Sequence, residues 1–77
     1  MSEYTVLLVD DEEEVIRVIM KKINWEEIGF SVIGYASNGI KALEMVEEFQ
    51  PDVVMTDIKM PYMDGIELTR QVKERYP

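Results

Sequence analysis

The sequence predicts an α/β fold: three parallel strands joined by helical crossovers, with helices on both faces of the sheet. Three observations carry that expectation. The apolar runs Thr5-Val6-Leu7-Leu8-Val9 and Val53-Val54-Met55-Thr56 each stop at an aspartate. Segments with apolar residues at helical spacing follow each strand-like run. The resulting order is βαβαβα, and alternation at this spacing implies a parallel sheet with right-handed crossovers. At 77 residues the chain is small for one domain and too short for two, and it has no internal repeat, linker or low-complexity segment.

The first run is continuous and rich in β-branched residues, the pattern of a strand covered on both faces, and it ends at Asp10-Asp11. Glu12-Glu13-Glu14 then opens a helix with Val15, Ile16, Ile19 and Ile23 on one side. Its acidic start and its Lys21-Lys22 end suit the positive and negative poles of the helix dipole. The connector Asn24–Gly29 follows, with Trp25, Ile28 and Phe30 expected to cover the bottom of the core. Residues Phe30–Ala36 read as a second strand, less apolar and interrupted by Gly34 as an edge strand can be. Ser37-Asn38 supplies a cap for a helix marked by Ile40, Leu43 and Val46 or Glu47, which runs out near Phe49-Gln50-Pro51. Val53–Thr56 forms the third strand and delivers Asp57. Beyond the Pro61 loop, Asp64 with Glu67 resembles a capping box, and Leu68, Val72 and Tyr76 form an i, i+4 stripe on the last helix.

Composition narrows the chemistry. Sixteen acidic against eight basic residues give a net charge of −8, which argues against an electrostatic grip on nucleic acid or an anionic membrane and favours a cationic ligand or partner. Without Cys there is no disulfide framework or thiolate metal site, and without His the usual general base and nitrogen ligand are missing, so site chemistry falls to carboxylates. The start, Met-Ser-Glu-Tyr, lacks the basic and apolar regions of a signal peptide, and no apolar stretch approaches the roughly 18 residues of a spanning helix, so a cytoplasmic location is expected. The hydrophobic fraction of 47% is ample for a core, yet a chain this short rarely gains more than about 3–5 kcal/mol from one.

In a parallel α/β sheet, ligands collect beyond the carboxyl ends of the strands where strand order reverses. Asp10, Asp11 and Asp57 sit at two such ends. If the first and third strands are neighbours, a spacing of about 4.8 Å gathers the three acids. Crowded carboxylates repel, so the cluster calls for a cation, and an all-oxygen donor set selects a hard ion such as Mg²⁺. The plainer alternative is that Asp10-Asp11 only caps the helix that follows. Glu12, Glu13 and Glu14 read as a solvated first turn rather than ligands. Ser37-Asn38-Gly39 lacks the glycine spacing and Lys-Ser/Thr of a phosphate loop and reads as a cap. The methionines read as core and loop filling, and neither acidic stretch has a calcium-loop pattern.

The segments LLVDDEEEVI, ASNGIKALEMV and PDVVMTDIKMPYMDGIEL, with their spacing, resemble the receiver domain of two-component response regulators across essentially the whole chain. The resemblance implies a flavodoxin-like sheet, here a (βα)3 unit in the order 2-1-3, with the first and third strands adjacent. It implies Asp57 as phosphoacceptor, Mg²⁺ held by Asp10, Asp11 and Asp57 with the backbone carbonyl of Lys59, and a sensor histidine kinase as phosphoryl donor. INWEEIGFSVIGYASNG is similar to receivers that precede AraC-type DNA-binding domains, which implies a transcriptional parent protein.

Receivers of that family continue for two more βα units, which carry a switch Ser/Thr and a Lys that pairs with the phosphoryl group. Residues 1–77 are therefore expected to be a partial receiver with impaired phosphotransfer, whose third strand offers an open edge for a homodimer. Three function classes follow: a phosphoacceptor module that is not itself an enzyme, a folded half-domain that only self-associates, and a small phosphatase with a strand-end Asp nucleophile. Lys59 stands against the last, because a second Asp at that position would usually supply the acid.

Overall fold

A computed structural model describes residues 3–57 and 65–75. Its elements are β1 (Tyr4–Val9), α1 (Glu13–Lys22), β2 (Phe30–Ala36), α2 (Gly39–Phe49), β3 (Val53–Thr56) and α3 (Gly65–Arg75). The strands form one sheet in the order β2-β1-β3, with both pairings parallel. This is the expected flavodoxin-like strand order 2-1-3. β1 starts one residue earlier than its apolar run, while β2 and β3 have the predicted limits.

Central placement explains why β1 is the most apolar strand. Val6 and Leu8 face Ile16 of α1, with Ile19, Trp25, Phe30 and Val32 around them. Leu7 and Val9 face the opposite way, toward Ala36, Ala42 and Val46 and toward Leu68 of α3. Successive side chains on a strand point to opposite faces, so one run of four buried residues builds both layers of the core.

The helix ends follow local chemistry. Glu13 and Glu14 lie in the first turn of α1, and Lys21 and Lys22 in its last. Asn38 Oδ1 accepts from the Lys41 N–H at 2.8 Å, the expected cap of α2. α2 closes on Gln50, a left-handed residue at φ 46°, immediately before Pro51.

Ile28 lies elsewhere than expected, and Ile40, inside the expected helix, faces outward. Ile28 is 59% exposed, because the Trp25–Gly29 turn directs only Trp25 and Phe30 toward the core. Ile40 is 49% exposed, whereas Ala42 is fully buried. The small face of α2, Gly39 and Ala42 with Val46, lies against the sheet and turns Ile40 outward. Gly34 also does more than mark an edge. It follows the register shift between β1 and β2, and a Cβ there would come within 2.6 Å of Met45 Cε, so the glycine leaves room for the end of that flexible side chain on the sheet. Tyr76 and Asp64 lie outside the described residues.

Candidate functional site

The site is assembled by extending two strand ladders by one residue each. Beyond β1, the Asp10 N–H donates to the Ala36 carbonyl at 3.0 Å; beyond β3, the Asp57 N–H donates to the Val9 carbonyl at 3.0 Å. Asp10 and Asp57 thus leave adjacent strands at the same level of the sheet, and Asp11 follows in the loop to α1. Carboxylate oxygens of Asp10, Asp11 and Asp57 all lie within 4.8 Å of one another. Asp10 is half-buried, and the other two are exposed.

One oxygen of Asp10 has a second duty. Its Oδ1 accepts from the Glu12 N–H at 2.9 Å, which holds the chain as it turns into α1. Glu12 itself is the residue at the cap, and its side chain makes no capping bond. The capping reading therefore accounts for one oxygen of Asp10 and for neither Asp11 nor Asp57. A cleft of about 130 Å³ adjoins the acids, lined by Leu8, Ile16, Ile19 and Met55 as well as Asp10 and Asp57. A larger groove of about 420 Å³ lies between α2, β3 and α3, away from the carboxylates.

Three clustered carboxylates with no nitrogen or sulfur donor fit a hard divalent cation such as Mg²⁺, which takes one or two carboxylates and keeps several waters. The cleft beside them leaves space for those waters or for phosphate oxygens. Lys59, expected to add a backbone carbonyl, lies outside the described residues.

Residues 6–77 match the response regulator receiver domain model. The chain belongs to that family. It is 45% identical over 74 residues to the uncharacterized transcriptional regulatory protein YesN of Bacillus subtilis, an alignment covering 96% of this receiver and 20% of YesN. The receiver domain of AraT, a response regulator from Geobacillus stearothermophilus, superposes with a TM-score of 0.90 at 35% identity, covering 96% of this chain and 57% of that one. CheY in a CheX–CheY–BeF3–Mg²⁺ complex from Borrelia burgdorferi superposes with a TM-score of 0.85 at 28% identity, covering 97% of this chain and 56% of that one. The chain thus spans a fifth of YesN and a little over half of the two solved chains.

As a receiver, the chain is a signalling module of two-component systems built on a flavodoxin-like sheet. Among the described residues no helix is long and apolar enough to cross a membrane. Asp10 and Asp57 are legible in the sequence because each follows a strand-like run, and Asp11 because it adjoins Asp10. Thr5 and Asp52 are not, because they carry no charge cluster or motif of their own and meet only in the folded sheet.

Proposed function

We propose that this receiver is a phosphoacceptor module that takes a phosphoryl group onto Asp57 from a phosphohistidine of a sensor kinase. The observation that carries the reading is the convergence of Asp10, Asp11 and Asp57 within 4.8 Å at the ends of β1 and β3. In the proposed step an Asp57 carboxylate oxygen attacks phosphorus while the phosphorus–nitrogen bond to the imidazole breaks. The bonding pair returns to that nitrogen, and an acyl phosphate remains on Asp57. Asp10, Asp11 and Asp57, with the Lys59 carbonyl, would hold Mg²⁺, which when bound offsets charge on the transferring oxygens. Asp57 is the nucleophile, and Asp10 and Asp11 hold charge and position beside it. The module accepts a group and turns over no separate substrate, so it is not an enzyme beyond assisting its own phosphorylation. The Borrelia burgdorferi CheY, solved with BeF3 and Mg²⁺, supports the same use of a similar fold.

The parent protein is proposed to be a cytoplasmic transcriptional regulator; the likeness to YesN, a transcriptional regulatory protein, supports the regulatory role. With a net charge of −8, this segment leaves nucleic-acid binding to other parts of such a protein.

The test is incubation with acetyl phosphate and Mg²⁺, followed by mass spectrometry and by amide NMR. An acid-labile addition of one phosphoryl group, absent from Asp57→Asn, supports the reading. Dispersed spectra with no Mg²⁺ response near residues 10, 11 and 57 defeat it.

A second reading, a self-associating structural unit, is favoured by the edge position of β3, where Val53 and Met55 are 40% and 41% exposed. Pairing of that edge with a second copy would give a homodimer with one continuous sheet. Two chains of net charge −8 repel, so such pairing should tighten as salt rises. Sedimentation of a folded monomer at high micromolar concentration and high salt would exclude it.

A further inference from the structure

At the end of β3 opposite Asp57, Asp52 and Thr5 hold each other by four hydrogen bonds. Asp52 Oδ2 accepts from the Thr5 N–H at 2.8 Å and from the Thr5 hydroxyl at 3.2 Å. In return, the Asp52 N–H donates to the Thr5 hydroxyl oxygen at 3.1 Å and to the Thr5 carbonyl at 3.1 Å. Thr5 is the residue before Val6, and Asp52 the residue before Val53, so the clasp sits one step ahead of the first β1–β3 pair.

β3 needs such a pin more than the other strands do. It has four residues and, unlike β1 and β2, no buried one: Val53 and Met55 are exposed on one face, and Val54 and Thr56 are only half-buried on the other. Register is strongly specified where one face is buried and weakly specified where it is not. A slip of two residues would keep every side chain on its own face while moving Asp57 by about 6.6 Å along β1. That displacement exceeds the 4.8 Å within which the three carboxylates meet.

We infer that Thr5 and Asp52 are positioning residues for the acidic site: their clasp sets the β1–β3 register that brings Asp57 beside Asp10 and Asp11. The inference rests on the reading of Asp57 as the phosphoacceptor only for its functional consequence; the register itself is a separate observable.

The experiment compares the wild-type chain with Asp52→Ala, Thr5→Val and Thr5→Ser by two readouts. Interstrand backbone NOEs report register, and amide shifts of Asp10 and Asp57 report Mg²⁺ affinity. Asp52→Ala is expected to lose the Val9–Asp57 contact, to keep the β1–β2 contacts, and to weaken Mg²⁺ about tenfold, the size of effect seen when a ligand's supporting partner is removed. Thr5→Val should move both readouts the same way by less, and Thr5→Ser should restore them. Variants that keep native β1–β3 NOEs and wild-type Mg²⁺ affinity, losing only melting temperature, overturn the inference. If Asp52→Ala does not fold, Thr5→Val, which replaces only the hydroxyl by a methyl, decides. A wild-type chain that binds no Mg²⁺ defeats the phosphoacceptor reading instead, and the NOEs then decide the register claim alone.

Discussion

The Asp57 N–H donates to the Val9 carbonyl at 3.0 Å, so the proposed phosphoacceptor is tied to the central strand through its backbone while its carboxylate stays exposed. Changing the side chain leaves that bond in place. Asp57→Asn should therefore keep the fold and, by removing one of three crowded negative charges, match or exceed wild-type stability by a few tenths of a kcal/mol, or roughly 0.5. Mg²⁺ should raise the melting temperature of the wild-type chain and leave that of Asp57→Asn nearly unchanged, since a ligand stabilises only the state that binds it. Thermal unfolding with and without Mg²⁺ checks both halves.

Asp10 and Asp11 should separate in the same assay. Asp10 accepts from the Glu12 N–H at 2.9 Å, whereas among the described residues no such bond is seen for Asp11. Asp10→Ala is expected to cost about 1 kcal/mol of stability in the absence of metal, in line with loss of a local side-chain bond at a helix entry. Asp11→Ala should cost little without metal. Both should weaken Mg²⁺ binding. Urea unfolding in chelator, followed by Mg²⁺ titration, distinguishes the two.

On α3, Glu67 accepts from Arg70 Nε at 3.0 Å and Nη2 at 2.6 Å, and from Gln71 Nε2 at 3.1 Å; Arg70 Nη1 also donates to Glu74 at 2.8 Å. The hydrogen bonds from Arg70, then Gln71, hold the Glu67 carboxyl down to about 2 from its ordinary 4.5, and the same pairing pushes Arg70 above its usual value. A depressed carboxyl favours folding at pH values above its unfolded value. The contribution of this pair is thus complete above about pH 4.5 and lost as pH falls toward 2. The group is exposed, so salt weakens the effect. The carboxyl carbon shift of Glu67 should titrate near 2 in the wild-type chain and at a higher pH in Arg70→Gln, with α3 helicity falling at that higher pH.

Gln50 ends α2 at φ 46° and ψ 61°. A left-handed conformation costs an L-residue roughly 1–2 kcal/mol, partly offset in glycine by the larger entropy of its unfolded chain. Gln50→Gly is expected to raise stability by about 0.5–1 kcal/mol, read as a higher urea midpoint with an unchanged slope. Gln50→Val should lower it.

Much of the fold is local and could be read residue by residue. The limits of β2 and β3, the Asn38 cap and the charged ends of α1 depend on neighbours within a turn or on alternation along a strand. Asp10, Asp11 and Asp57 are legible because two apolar runs end in acids, and in a parallel sheet ligands collect beyond such strand ends. The exposure of Ile28, and the outward turn of Ile40 on α2, are not legible in the same way. Helical spacing and hydrophobicity do not say which of two nearby apolar residues turns inward, and on α2 the small Ala42 took the sheet-facing position.

The amino-acid order by itself determined the six elements, their alternation and the placement of a carboxylate at the end of two strands, since periodicity, capping and turn chemistry act over a few residues. Only the tertiary structure decided that β3 lies directly beside β1, that Thr5 meets Asp52 across 47 positions of sequence, and that three acids share one end of the sheet. Those outcomes follow from how crossover helices pack and how strands pair in register, and both are set by contacts between segments far apart in the chain.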